Sequence, residues 1–197
     1  MKRFESVAYH EAGHFVSWLL DERLLGPIGG VSILPDEKSL GRVVQAKHAT
    51  RDASDPETLR ALGRLNAAGL IAERLAGSDR RCNYGSDAAD LAAMASLPGR
   101  GERFIQQSIA GAEFRLRLNW AAVRALAATL LEFGELNGSS GIQLARLALD
   151  APPQPLGLDG ETLGRLLDGI GGIPELSDPI RTTLEKLARN QFQPAAS

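Results

Sequence analysis

Histidine occurs three times in 197 residues, and two of the three bracket a glutamate, in the run His10-Glu11-Ala12-Gly13-His14. This is the H-E-x-x-H pattern, whose chemistry depends on its lying on a helix. Residues four apart on a helix are offset by about 40° around the axis and about 6 Å along it, so both imidazoles leave one face and can share one metal ion. Neutral imidazole suits zinc, and Glu11, one residue further round, can reach a water on that ion without being a ligand. The spacing therefore predicts His10 and His14 as metal ligands, Zn2+ as the cofactor and Glu11 as a general base. A plainer reading makes these solvated residues on the polar side of an ordinary helix. It suits a single histidine better than the whole pattern. Gly13 adds to the case, because glycine costs about 1 kcal/mol against alanine inside a helix, a cost that makes sense where another segment packs closely beside the metal.

A hydrolytic zinc site usually has three protein ligands and a water, so a third ligand must come from elsewhere in the chain. The extended pattern with glycine at 17 and histidine at 20 is excluded, since Ser17 and Leu20 stand there. His48 lies beside Lys47 in a charged stretch and is a weak candidate. Glu73 is a rival carboxylate, or else a group behind a ligand. Asp87 and Asp90 are better placed, in Asn83-Tyr84-Gly85-Ser86-Asp87-Ala88-Ala89-Asp90-Leu91, where a turn delivers carboxylates into the first turn of a helix. Aspartates in that position also serve as ordinary helix caps. The residues alone leave the choice between the two open.

The elements that must position these groups follow from hydrophobic period and turn chemistry. Residues 3–21 read as a helix with the apolar stripe Ala8, Ala12, Phe15, Val16 and Leu19, and with His10, His14 and Ser17 roughly opposite. After Gly26-Pro27, residues 29–35 read as a strand and 40–46 as its hairpin partner. Residues 47–56 read as a surface loop. Asp55-Pro56-Glu57 opens a second long helix that runs to about Ala76 and is closed by Gly77. Its small residues Ala67, Ala68, Gly69 and Ala72 would let a neighbouring backbone approach. Further helices are predicted from about Ser86 to before Pro98, over 102–117, and over 120–134 behind Asn119, with 138–141 as a flexible turn. Trp18, Trp120 and Phe133 read as core. Pro152-Pro153-Gln154-Pro155 is a stiff linker, and 156–197 an accessory tail with two short amphipathic helices. The expected fold class is α+β, mainly α-helical, with a small sheet from 29–46 beside the metal helix and a helical C-terminal extension; 1–150 form the main domain and 151–197 the appendage.

Composition narrows the function classes. A net charge of −2 and a pI near 6.0 argue against a nucleic-acid partner held by phosphate neutralisation. The single cysteine, Cys82, excludes an internal disulfide framework and fits a reducing compartment. Glu11 interrupts the N-terminal region before a secretory apolar run can form, and nowhere do 18 apolar residues run unbroken, so neither export nor a membrane span is expected and the predicted location is cytoplasmic.

The motifs also resemble a known family. Val7-Ala8-Tyr9 before His10-Glu11-Ala12-Gly13-His14 is similar to the V/T-A-Y-H-E-A-G-H of FtsH-type ATP-dependent zinc metalloproteases. Val31-Ser32-Ile33-Leu34-Pro35 with Leu40-Gly41 resembles that family's V-T-I-I-P…L-G segment, Ala68 to Glu73 its G-G-R-x-A-E helix, and Gly85 to Leu91 its G-A-S-N-D-L. The order is the same, and the likeness covers about residues 5–135. It implies that His10 and His14 are ligands, Glu11 the base, and an aspartate the third ligand. Asp90 is favoured over Asp87 because Leu91 follows it, as Leu or Ile follows the family's ligand. No G-x-x-x-x-G-K-[ST] phosphate loop occurs in these 197 residues, so a domain acting apart from that family's ATPase motor, without ATP, is expected. The resemblance thus implies a stand-alone zinc endopeptidase acting on peptides or already unfolded segments, with a homo-oligomer or a separate partner protein left open. The alternative is a zinc-containing regulatory or protein-interaction module that kept the fold without proteolysis.

Overall fold

The computed structural model describes residues 3–35, 40–45, 55–78 and 85–149. His48, Cys82, most of the 47–56 stretch, and the linker and tail at 151–197 lie outside the described residues. The chain is α+β and mainly helical. Its elements are α1 (Arg3–Leu20), α2 (Glu22–Leu25), β1 (Ile28–Ser32), β2 (Arg42–Gln45), α3 (Pro56–Leu75), α4 (Gly85–Ala95), α5 (Gly101–Leu118), α6 (Trp120–Phe133), β3 (Glu135–Asn137) and α7 (Gly138–Leu149). Among the described residues no helix is long and apolar enough to cross a membrane.

α1 is the central helix. Its stripe of Ala8, Ala12, Phe15 and Val16 is fully buried. The face carrying His10, His14 and Ser17, expected to be polar and opposite the core, is also buried, because α3 packs along it. Helix α6 and the sheet cover other sides, with Tyr9 stacked on Trp120 at a centroid distance of 5.7 Å. The C-terminal end of α1 is fixed by Trp18, whose Nε1 donates to Gly26 O (2.8 Å), and by buried Asp21, which takes Arg64 of α3 (3.0 Å) and Arg115 of α5 (2.7 Å).

α3 begins and ends as its sequence signals. Asp55 Oδ2 accepts from the Thr58 backbone N–H (2.7 Å) and hydroxyl (2.8 Å), with Pro56 in the first turn. At the other end Gly77 takes φ +82°, Gly77 N donates to Arg74 O and Ser78 N to Glu73 O. These two bonds form a Schellman turn, which folds Ser78 back over Glu73.

The sheet is antiparallel in the order β2-β1-β3, with Val31 paired to Val43 on one side and Leu136 on the other. The predicted hairpin is there. The third strand and α7 were not expected. Residues 138–141, read as a flexible turn, form the first turn of α7: Asn137 Oδ1 accepts from Ser140 N and the Ser139 hydroxyl, both at 2.8 Å, in place of the missing intrahelical partners. Glycine is needed there for packing, since a Cβ on Gly141 would lie 2.6 Å from Phe15 Cζ and one on Gly138 would run into the Ile28 carbonyl. Phe133, expected in the core, is exposed at the end of α6.

Helices α1 and α3 approach closely. A Cβ on Gly13 would lie 2.5 Å from Ala72 Cβ and 2.7 Å from Ala68 O. Helix propensity alone makes Gly13→Ala stabilising by about 1 kcal/mol, whereas overpacking at a rigid contact costs about 1–3 kcal/mol. We expect Gly13→Ala to be net destabilising in urea unfolding. A raised midpoint would show that the two helices are not this close.

Candidate metal centre

α1 supplies two imidazoles one turn apart, and α3 dictates which way they face. His14 Nδ1 lies 2.8 Å from the backbone carbonyl of Leu65, which can only accept, so that nitrogen carries the proton. His10 Nδ1 lies 2.7 Å from Glu73 Oε1, with the same result if Glu73 is ionised. Both Nε2 atoms then present lone pairs. They converge at 2.9 Å from each other, and each lies 3.1 Å from Asp87 Oδ2. Three lone-pair atoms held this close repel one another unless a cation, a proton or a metal ion, lies among them. The cluster His10, His14 and Asp87 could hold a metal ion. Its dimensions suit one: ligand atoms 2.0–2.1 Å from a tetrahedral zinc would be about 3.3 Å apart.

Room for the rings comes from Gly69 on α3, where a Cβ would lie 2.5 Å from His14 Nε2 and 2.6 Å from His10 Nδ1. Glu11 is buried on the adjacent side of α1, outside the three-atom cluster, and Gly41 passes over it, leaving only 2.8 Å between a notional Gly41 Cβ and Glu11 Oε1. The Asp87 side chain is 25% exposed whereas His10 is 3% exposed, so access to the cluster is from the α4 side.

The electrostatics are one-sided. Glu11, Glu73 and Asp87 have no ion pair with Lys or Arg among the described residues. Burial pushes the Glu11 carboxyl up to about 7; His14 opposes this and the nearby Asp87 and Glu73 charges add to it. Burial would also raise Asp87, but hydrogen bonds with His10 and His14 outweigh it and hold Asp87 well below the usual carboxylate range. At His10, burial disfavours the imidazolium, yet hydrogen bonds and charge from Asp87 and Glu73 leave its pKa above the ordinary value.

Of the carboxylates weighed from sequence, the structure brings Asp87 to the histidines and leaves Asp90 exposed on α4. Asp90 is not in the cluster. Asp87 stands in the first turn of α4, whereas Asp90, three residues further on, is turned to solvent. Leu91, which favoured Asp90, reports instead the core-facing side of α4, where it is buried. Glu73 stands behind His10 rather than in the cluster. Ser6, which reading the sequence passed over, donates to Glu73 Oε2; its signal was the spacing Ser6, His10, His14, four residues apart each time on one face. No protein-family model matches this chain, and no curated protein matches it either.

The raised Glu11 pKa makes a signed prediction for the metal-free protein. Below about pH 4.5 Glu11 is protonated whether the chain is folded or not; above about 7 the folded state must hold a buried charge. That cost is about 3 kcal/mol by linkage. Glu11→Gln removes it, so the variant should be more stable than the parent at pH 8 and much less so at pH 5, by urea unfolding at both. A pH-independent difference would refute the burial account.

Proposed function

We propose that this chain is a zinc-dependent endopeptidase domain of the FtsH protease type, cleaving peptides or unfolded segments. The observation that carries this reading is the His10/His14/Asp87 triangle with a buried carboxylate, Glu11, beside it that is not part of it. A purely structural site has no use for such a group, and it is usually closed by four ligands, whereas this cluster offers three among the described residues and is reached from the Asp87 side. His10, His14 and Asp87 would hold the ion. Zinc bound there supplies Lewis acidity, lowering the pKa of a water and polarising a carbonyl oxygen.

The rest is done by the chain. Glu73 and the Leu65 carbonyl keep both imidazoles in the Nδ1–H form, which frees the Nε2 atoms for the ion. Glu11 takes the proton of the attacking water on its carboxylate and delivers it to the leaving amide nitrogen, a role that suits a carboxyl whose affinity for protons is raised toward neutrality. β2 follows Gly41 directly and pairs with β1 on one side only, among the described residues. An extended peptide added along its free edge would pass Glu11 with its backbone hydrogen bonds satisfied.

The test combines metal content with turnover. The purified protein should hold close to one zinc per chain and cleave an unfolded substrate such as casein. Glu11→Gln should keep the zinc and lose at least 100-fold in rate. Zinc bound without cleavage by the parent would favour the regulatory or interaction module, and no recoverable zinc would end both readings. For ligand choice, Asp87→Asn should weaken zinc binding at least 10-fold in chelator competition, while Asp90→Asn should leave it within twofold. The reverse pattern would restore Asp90.

A further inference from the structure

His10 is held through a chain of contacts that extends beyond Glu73. Glu73 is 1% exposed and divides its two oxygens between partners, Oε1 facing His10 Nδ1 at 2.7 Å and Oε2 accepting from the Ser6 hydroxyl. Ser6 is itself fully buried, four residues before His10 on α1. Its one hydroxyl proton goes to Glu73, so the contact of its oxygen with Ser78 Oγ at 3.3 Å has Ser78 as donor. Ser78 is brought there by the Schellman turn, whose bond from Ser78 N to Glu73 O returns to the same glutamate. Ser78, Ser6, Glu73 and His10 thus form one line running inward from the end of α3.

The line has a physical purpose that packing alone lacks. A glutamate has three side-chain torsions, and a carboxylate fixed at one oxygen only can swing about that contact. Held at both oxygens, it presents Oε1 in one place. His10 then keeps one tautomer and one ring rotation, and both decide whether Nε2 points at the cluster. We propose that Ser6 is a positioning residue for the metal centre, acting through Glu73 to set the affinity and geometry with which His10, His14 and Asp87 hold a divalent ion. This rests on the metal-binding reading above and adds a residue to it.

The same helix supplies a control. Ser17 lies on the same buried face of α1, 2% exposed, and its hydroxyl has no hydrogen-bond partner among the described residues. Removing either hydroxyl makes a similar small cut in α1. Only Ser6 reaches Glu73.

The experiment measures Zn2+ affinity of the full chain by competition with a chromophoric chelator, together with the visible absorption spectrum of the Co2+-loaded protein. Ser6→Ala should weaken Zn2+ binding about 10-fold or more, the range found when groups supporting a metal-bound histidine are removed, and should change the Co2+ spectrum. Ser17→Ala should leave both as in the parent. Binding by Ser6→Ala within twofold of the parent, with an unchanged Co2+ spectrum, overturns the proposal; so does an equal loss in Ser17→Ala, which would mean that any hydroxyl removed from α1 loosens the site. If Ser6→Ala fails to fold, Ser6→Cys keeps the volume with a weaker donor; weakened binding supports the proposal, and parent-like binding overturns it. A parent that binds neither Zn2+ nor Co2+ refutes the metal reading and this proposal together, whereas a parent that binds with Ser6→Ala unaffected refutes this proposal alone.

Discussion

The close approach of α1 to α3 is the constraint on which the rest of the structure depends. It requires Gly13 on one helix and Ala68, Gly69 and Ala72 on the other, because any Cβ at either glycine would occupy space already taken. At this separation α3 offers α1 a backbone carbonyl at Leu65 and a carboxylate at Glu73, each within hydrogen-bond distance of an imidazole. With larger residues along the seam, the helices could not lie this close and the imidazoles would lose those partners. Burial, tautomer and the direction of both Nε2 atoms thus come from one packing decision, made with the smallest side chains available.

The two ends of this seam treat negative charge in opposite ways. Near the C-terminal end of α1, buried Asp21 is answered by Arg64 and Arg115. That is ordinary structural electrostatics, a charge taken from water and paired. Toward the other end lie Glu11, Glu73 and Asp87, with imidazoles and hydroxyls for company and no guanidinium or ammonium paired to them among the described residues. A fold that pairs a buried carboxylate in one place and, among the described residues, leaves three carboxylates without a permanent cation in another stores an electrostatic deficit at the second. Such deficits are commonly found where a cation or a reacting group belongs.

Much of this was legible in the sequence because its signals are local. H-E-x-x-H on a 3.6-residue period, Asp55-Pro56 opening α3 and Gly77 closing it each rest on chemistry within one or two turns. Glycine and alanine in the seam announced a close neighbour without saying which. What escaped was set by contacts between distant segments. The choice of Asp87 over Asp90 depends on how α4 lies against α1. Helix α7 begins with Gly138-Ser139-Ser140-Gly141, poor helix formers that are tolerated because Asn137 caps them and because Gly138 and Gly141 fit against Ile28 and Phe15. Burial of the histidine face was invisible for the same reason: polar residues in a helical stripe look solvated until the partner that satisfies them is known.

α4 has a second property that follows from its place at the rim. Its buried apolar residues are Leu91 and Ala95, a small anchorage for eleven residues of helix. Asp87 adds a third point of attachment, to imidazoles 73 and 77 positions earlier in the chain. A cation held in the triangle would therefore also be a latch between α1 and α4. With such a latch in place, α4 would open only by surrendering a ligand, and its amide exchange would slow toward the rate set by global unfolding. Without it, α4 would be a separable unit of low local stability, readier to exchange its amide protons than α1 and α3.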